Sequence, residues 1–303
     1  MHDTTPRYRG RFAPSPTGPL HFGSLIAAVG SYLDARANAG EWLLRMEDLD
    51  RPREERGAAD AILRILEAYG FEWDGPVLRQ SLRDERYAAA LARLREGGFV
   101  FPCACTRREI SDSTLAGAAE PVYPGTCRNG MGPGRPARAI RMRVDDDVIA
   151  FDDRFQGGFE QALAREVGDF VVKRADGLFA YQLAVVVDDF EQGITEVVRG
   201  ADLLASTPRQ ILLQRRLGYP TPRYGHLPVA VGRSGEKLSK QTLAAPLEGA
   251  EAPVQLRLAL AFLGQGPPLS IEKEDLPAVW KWAHANWRAA RVPRQRTLAV
   301  DPV

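Results

Sequence analysis

The most constraining stretch of the chain lies near its start. Tyr8 to Ala13 reads as a short strand, and Pro14-Ser15-Pro16-Thr17-Gly18-Pro19 ends it. Proline cannot continue a hydrogen-bonded ladder, and Gly18 permits a tight backbone. From about Pro19 the spacing predicts a helix, with Leu25, Val29 and Leu33 at a 3.6-residue period and Ile26 and Tyr32 beside them. Gly40 lies just past its end, a common stop. Trp42 to Met46 is a second strand-length apolar run. Strand, helix and strand in this order predict a right-handed parallel crossover, and hence an α/β sheet.

Further helices are expected over Asp60 to Tyr69 and Asp84 to Glu96. Residues 97–150 differ: they are rich in Gly, Pro and Arg and have little periodicity. They read as an inserted subdomain that needs something besides a core to hold it. After 151, β-type runs return at Asp169–Arg174, Phe179–Val187 and Ile194–Val198, with a helix over Pro208–Leu217. Residues 252–290 read as helical, with Trp280 and Trp287 as core, and the basic end from Arg288 reads as frayed. No internal repeat is evident.

Composition sets outer limits. The 303 residues are 45% hydrophobic, and 40 Lys+Arg face 39 Asp+Glu, which excludes disorder as the main state. No apolar run nears the ~20 residues that span a bilayer. Met1 to Gly10 lacks the apolar stretch of a signal peptide, so a cytoplasmic protein without a membrane partner is expected. A net charge of +1 carries no hint of nucleic-acid binding. The three cysteines, Cys103, Cys105 and Cys127, share one short window. Their odd number argues against a disulfide framework, and their clustering suggests a metal site. Its fourth ligand is open, because His2, His21, His226 and His284 are all distant in sequence.

Two segments suit phosphate chemistry. Pro19-Leu20-His21-Phe22-Gly23-Ser24 opens the first helix directly after the first strand. Helix starts favour anions, and open α/β sheets bind ligands at the carboxyl ends of their strands. His21 adds a donor, and Gly23 permits close approach. Gly232-Arg233-Ser234-Gly235-Glu236-Lys237-Leu238-Ser239-Lys240 is a polar loop with two lysines, suited to closing over a polyphosphate. It does not have Walker A spacing, and Gly130-Met131-Gly132-Pro133-Gly134 lacks the context of a dinucleotide fingerprint.

Taken together, Pro-x-Pro-Thr-Gly-x-Leu-His-x-Gly and the later Lys-Leu-Ser-Lys resemble the HIGH-like and KMSKS-like signatures of class I aminoacyl-tRNA synthetases. Arg11 to Gly18, Leu44-Arg45-Met46-Glu47-Asp48, Tyr181-Gln182-Leu183-Ala184 with Val186-Val187-Asp188-Asp189, and Val198-Arg199-Gly200-Ala201-Asp202 resemble the glutamyl kind, in the same order. The resemblance spans about residues 7 to 245. Within that kind the chain resembles the truncated glutamyl-queuosine tRNA(Asp) branch. Only about 60 residues follow Lys240, too few for an anticodon-binding domain of about 100 or more. Leu203 and Val185 stand where full-length enzymes usually carry histidine and asparagine.

The resemblance implies a class I Rossmann-type parallel sheet with an inserted zinc-binding subdomain and a short helical C-terminal region. The expected divisions are 1–96 and 151–245 for the catalytic halves, 97–150 for the insert and 246–303 for the helical end. It implies ATP with magnesium, L-glutamate and queuosine-containing tRNA(Asp) as partners, a monomer, and activation of glutamate without tRNA. The implied ATP residues are His21, Gly23, Ser24 and Lys240, with His21, Lys237 and Lys240 catalytic. The implied glutamate residues are Arg11, Phe12, Ala13, Pro14, Ser15, Glu47, Tyr181 and Arg199. One structural zinc is implied at Cys103, Cys105, Tyr123 and Cys127. Arg107, Arg108, Arg128, Arg135 and Arg138 are candidates either for RNA phosphates or for a solvated basic face, and Arg288, Arg291, Arg294 and Arg296 are also candidates for RNA. The alternatives are a short glutamyl-tRNA synthetase charging a 3′ end and an inactive tRNA-binding paralogue. Intact His21, Lys240, Arg11 and Glu47 argue against the inactive one.

Overall fold

A computed structural model describes residues 7–112, 122–232, 245–271 and 273–300. Strand β1 (Arg9–Phe12), helix α1 (Phe22–Ala37) and strand β2 (Glu41–Met46) form the expected crossover, with β1 and β2 parallel and Arg11 opposite Leu43. Helix α1 starts later than the sequence pattern suggests, because His21 is still extended (φ −130°, ψ 174°) and serves as its N-cap. At the other end Gly40 donates to Ala35 O at 2.9 Å. A Cβ there would lie 2.6 Å from Tyr8 O, so only glycine lets β2 begin this close to β1.

Helix α2 (Ala58–Ala68), the short strand β3 (Leu78–Arg79) parallel to β2, and helix α3 (Asp84–Glu96) follow. Helix α3 carries Asp84 and Glu85 in its first turn and Arg93 and Arg95 in its last, matching its dipole at both ends.

Strand β4 (Val100–Cys103), helix α4 (Arg107–Asp112) and strand β5 (Ala139–Met142) lead to the hairpin of β6 (Val148–Asp153) and β7 (Gly157–Ala162). Helix α5 (Leu163–Glu166) and strand β8 (Val171–Lys173) come next. The antiparallel sheet β4-β5-β8 draws on both sides of residue 150. A small cluster of Phe101, Cys103, Ala104, Tyr123 and Cys127 fills this region.

The run Phe179–Val187 is not a strand. Residues Tyr181–Glu191 form helix α6. Leu183 to Val187 are all buried, so this stretch shows no polar face and its apolar run has strand length. Strand β9 (Glu196–Gly200), helix α7 (Thr207–Leu217) and strand β10 (Arg223–Leu227) complete a second parallel ladder. The two ladders meet where Thr195 N–H donates to Arg9 O at 3.0 Å, giving the spatial order β3-β2-β1-β9-β10.

Strand β11 (Val229–Val231), helices α8 (Ala252–Phe262) and α9 (Leu276–Asn286), and strand β12 (Thr297–Ala299) end the fold. The expectation of a frayed end is corrected: β12 pairs parallel with β11, and Val229 N–H donates to Arg296 O. Trp280 and Trp287 are core, as expected. Trp280 meets Phe71 and Tyr32 edge-on, and Trp42 stacks between Phe12 and Phe71. Among the described residues no helix is long and apolar enough to cross a membrane.

Helix α1 crosses β10 at Gly30, where an added Cβ would lie 2.5 Å from a methyl of the fully buried Leu227. Helix propensity alone favours Gly30→Ala by about 1 kcal/mol. Overpacking opposes it by about 1–3 kcal/mol. The substitution is therefore expected to destabilise, and a leftward shift of the urea midpoint at unchanged slope would show it.

Candidate functional site

Strand β1 has β2 on one side and β9 on the other, so the crevice between β1 and β9 is the switch point of the sheet. The segments beyond the carboxyl ends of both strands face one cavity of about 180 Å³. His21, Gly23 and Ser24 line it from the start of α1, and Gly200 and Asp202 line it from the end of β9. The His21 side chain makes no cap bond to α1, so the first amides of the helix keep their donor character toward this space. His21 also bridges to Pro246, and Leu247 N–H donates to Leu20 O, so the chain returns to the helix start just after the lysine-bearing segment. Lys237 and Lys240 themselves lie outside the described residues.

A largely buried cluster of ionisable groups lies beneath the same strand ends. Arg11 donates through Nε to Asp189 Oδ1 at 3.0 Å and through Nη2 to Oδ2 at 3.4 Å. Arg45 Nη2 reaches Asp189 Oδ1 at 2.5 Å, and its Nη1 donates to Gln192. Glu47 is held by its own N–H, which donates to Pro14 O at 3.0 Å and so ties the end of β2 to the turn after β1. Arg45 Nε lies 3.9 Å from the Glu47 carboxylate. Burial pushes the Glu47 carboxyl up to about 7, against the pull of Arg45 and Arg11. Asp189 keeps a depressed pKa although burial raises it, because both guanidiniums hold it ionised.

Arg199 stands on β9, directly opposite His226 on β10. Its Nη1 donates to the Tyr181 hydroxyl at 3.3 Å and its Nη2 to Thr207 Oγ1 at 2.9 Å. Tyr181 senses the charges of Arg199, Glu47, Arg11 and Asp189, so all five groups form one electrostatic unit. Burial raises the Tyr181 hydroxyl, and Arg199 opposes that rise. The structure thus gathers Arg11, Glu47, Tyr181 and Arg199. The Phe12 ring is in the core against Trp42, leaving only its backbone toward a ligand. Ser15 is exposed on the turn, beside half-buried Ala13 and buried Pro14.

Four further residues of this unit were not singled out from the sequence. Arg45 and Asp189 sit inside quoted motifs, so their signal was present as neighbours of expected ligands. His226 and Asp153 had none: each lies on a strand with no motif around it.

The cysteines converge as their clustering suggests. The Cys103, Cys105 and Cys127 sulfurs all lie within 4.8 Å of one another, and Cys105 and Cys127 are 3.6 Å apart. The Tyr123 hydroxyl lies 3.4 Å from Cys103 Sγ and 3.8 Å from Cys105 Sγ, and accepts the Cys127 N–H at 2.9 Å. Tetrahedral zinc–thiolate bonds of about 2.3 Å require sulfurs about 3.8 Å apart, so three sulfurs and one oxygen fit such an ion. Arg141 donates to Cys103 Sγ at 3.3 Å and covers the Tyr123 ring at 3.9 Å, adding positive charge beside donors that bind as anions. The basic residues nearby are partly committed: Arg128 pairs with Asp169 and Asp145, and Arg135 pairs with Glu109, while Arg138 is exposed.

The raised Glu47 carboxyl makes a signed prediction. The folded protein binds this proton more tightly than the unfolded chain, so the associated stability is present below about 4.5 and is lost as pH rises through about 7. Glu47→Gln should therefore raise the ligand-free melting temperature more at pH 8 than at pH 5.5. Thermal melts of both proteins at the two pH values read the difference.

The family profile described as tRNA synthetases class I (E and Q), catalytic domain, matches residues 7–252. A protein of Dechloromonas aromatica (strain RCB) named glutamyl-Q tRNA(Asp) synthetase is 62% identical over 295 residues, covering 97% of this chain and 98% of that one. One of the same name from Aromatoleum aromaticum is 60% identical, over 97% and 93%. A crystal structure of a glutamate tRNA ligase from Elizabethkingia meningosepticum with its amino acid shares the fold. Its TM-score is 0.80 at 24% identity, over 98% of this chain and 67% of that one. The chain belongs to the class I tRNA synthetases of the E and Q kind, and within them to the glutamyl-Q tRNA(Asp) synthetases.

Proposed function

We propose that this protein activates L-glutamate with ATP, without tRNA, and transfers the glutamyl group to the queuosine of tRNA(Asp). The observation that carries the reading is the set of buried Arg11 and Arg199 with half-buried Tyr181 and Glu47 at the switch point, beside a helix start that His21 does not cap. A glutamate zwitterion needs guanidinium for its side-chain carboxylate and an anion for its ammonium. Arg11 spends Nε and Nη2 on Asp189, which leaves Nη1 for a carboxylate. Arg199 Nη2 gives its protons to Thr207 Oγ1 and Leu203 O, while Nη1, bonded to the Tyr181 hydroxyl, keeps a second proton for the same purpose. Glu47 takes the ammonium, whose charge draws its proton off. Ser15 and the Tyr181 hydroxyl add polar contacts, and the backbone of Phe12, Ala13 and Pro14 forms the wall.

The α-carboxylate attacks the α-phosphorus of ATP, a carboxylate oxygen–phosphorus bond forms, and the bond to pyrophosphate breaks. The carboxylate is already ionised, so no base is needed, and catalysis is positioning and charge stabilisation. His21, Gly23, Ser24 and the first amides of α1 hold the phosphates, which magnesium accompanies, and Lys240 with Lys237 takes the leaving pyrophosphate. The queuosine diol then displaces AMP from the glutamyl group. Cys103, Cys105, Tyr123 and Cys127 would hold a zinc ion, which would supply structure rather than chemistry by tying β4 to the loop of residues 122–128.

Two measurements test the reading. ATP–pyrophosphate exchange should run with glutamate in the absence of tRNA. Labelled glutamate should then appear on queuosine-containing tRNA(Asp) and not on queuosine-free tRNA(Asp). Equal labelling of both favours a short glutamyl-tRNA synthetase, and no exchange under any condition leaves an inactive paralogue.

Metal analysis should find about one zinc per chain, and Cys105→Ser with Cys127→Ser should reduce it to near zero while lowering the melting temperature. Full zinc content in the double variant would refute this ligand set.

A further inference from the structure

His226 is fully buried and lies between two charged groups. Its Nδ1 is 2.5 Å from Asp153 Oδ2, and its Nε2 is 3.1 Å from Arg199 Nε. The guanidinium nitrogen can only donate, so Nε2 must be the acceptor and the ring proton must sit on Nδ1, facing Asp153. The other oxygen of Asp153 accepts three backbone N–H groups: Phe155 at 3.0 Å, Gln156 at 2.9 Å and His226 at 3.0 Å. That carboxylate is therefore locked in one orientation.

We infer that Asp153 selects the Nδ1–H tautomer of His226, and that this neutral ring positions Arg199 for the side-chain carboxylate of glutamate. The inference rests on the proposed glutamate site and adds two residues that never touch the substrate. Fixing a tautomer through a buried carboxylate is a known way to set what the far nitrogen of a histidine can do. Burial holds the ring neutral, pushing its pKa down to about 4; Arg199 acts in the same sense, while Asp153 and Asp202 oppose them. Thr207, which also lies 3.3 Å from Nε2, accepts from Arg199 Nη2, so the ring and the hydroxyl together fix the plane of the guanidinium.

The discriminating substitution is Asp153→Asn. The three backbone N–H groups demand the amide oxygen, which turns the amide nitrogen toward His226 Nδ1. Nδ1 must then accept, and the proton moves to Nε2, where it confronts the Arg199 Nε–H. Removal of a single locked carboxylate proton acceptor thus inverts both ends of the ring.

Nitrogen-15 NMR of the imidazoles should show the Nδ1–H form of His226 in the unsubstituted protein and the Nε2–H form in D153N. In ATP–pyrophosphate exchange D153N should raise the glutamate KM about tenfold or more, with the ATP KM and kcat changed far less. His226→Gln offers an acceptor oxygen near the Nε2 position and has no tautomer to invert, so D153N added to H226Q should bring no further tenfold penalty. If D153N does not fold, His226→Phe against H226Q decides: only the phenylalanine variant should weaken glutamate. An unchanged glutamate KM in D153N, or an equal penalty in the H226Q background, overturns this inference alone. Absence of glutamate-dependent exchange in the unsubstituted protein overturns it together with the proposed site.

Discussion

Two consecutive carboxylates at the end of α6 hold the catalytic body together. Asp189 accepts Arg11 from β1 and Arg45 from β2, and Asp188 accepts Gln80, Arg83 and Tyr87 from the segment leading into α3 and from α3 itself. These bonds join elements more than 100 positions apart in the chain. Each arginine on the Asp189 side is almost completely buried. Removing one partner from such a set leaves an uncompensated buried charge, typically at a cost of about 3–5 kcal/mol. The same carboxylate that secures the sheet also decides which edge of Arg11 faces the site, so architecture and recognition share one atom pair.

The site is correspondingly poor in self-satisfaction. Glu47 sits in a pocket that disfavours its charge, and strongly perturbed groups of this kind concentrate where ligands complete the electrostatics. Arg199 differs: every guanidinium nitrogen already has a partner before any ligand arrives. One side of the cluster is fully organised in advance, and the other awaits an ammonium. Preorganisation of the donor side spares reordering on binding.

Most of the parallel core was legible because local signals agreed with it. The Pro-Ser-Pro-Thr-Gly turn, the 3.6-residue period of α1 and the apolar β2 run all point to one crossover, and α3 has the bounds its pattern suggests. Helix α6 was not legible, since its stretch Leu183–Asp189 is buried all round and has no period to read. Strand β12 was hidden by three residues with modest strand character after a basic stretch, and it exists only because β11 supplies a ladder. In the site, Arg11, Glu47, Tyr181 and Arg199 stood in ordered motifs. His226 and Asp153 are adjacent only through the β9–β10 register and the β6 hairpin, and no spacing along the chain encodes that.

The pairing of β11 with β12 bears on how the protein is made. Among the described residues β11 has no other ladder partner, and Val229 meets Thr297 only after α8 and α9 have been laid down. A growing chain can therefore assemble its five-strand sheet well before the strand leading toward the lysine segment has anything to pair with. Long-range pairing of this kind is slow to form and late to close. The pairing that holds β11 thus waits until β12 has emerged, and a nascent chain with a finished sheet still lacks it.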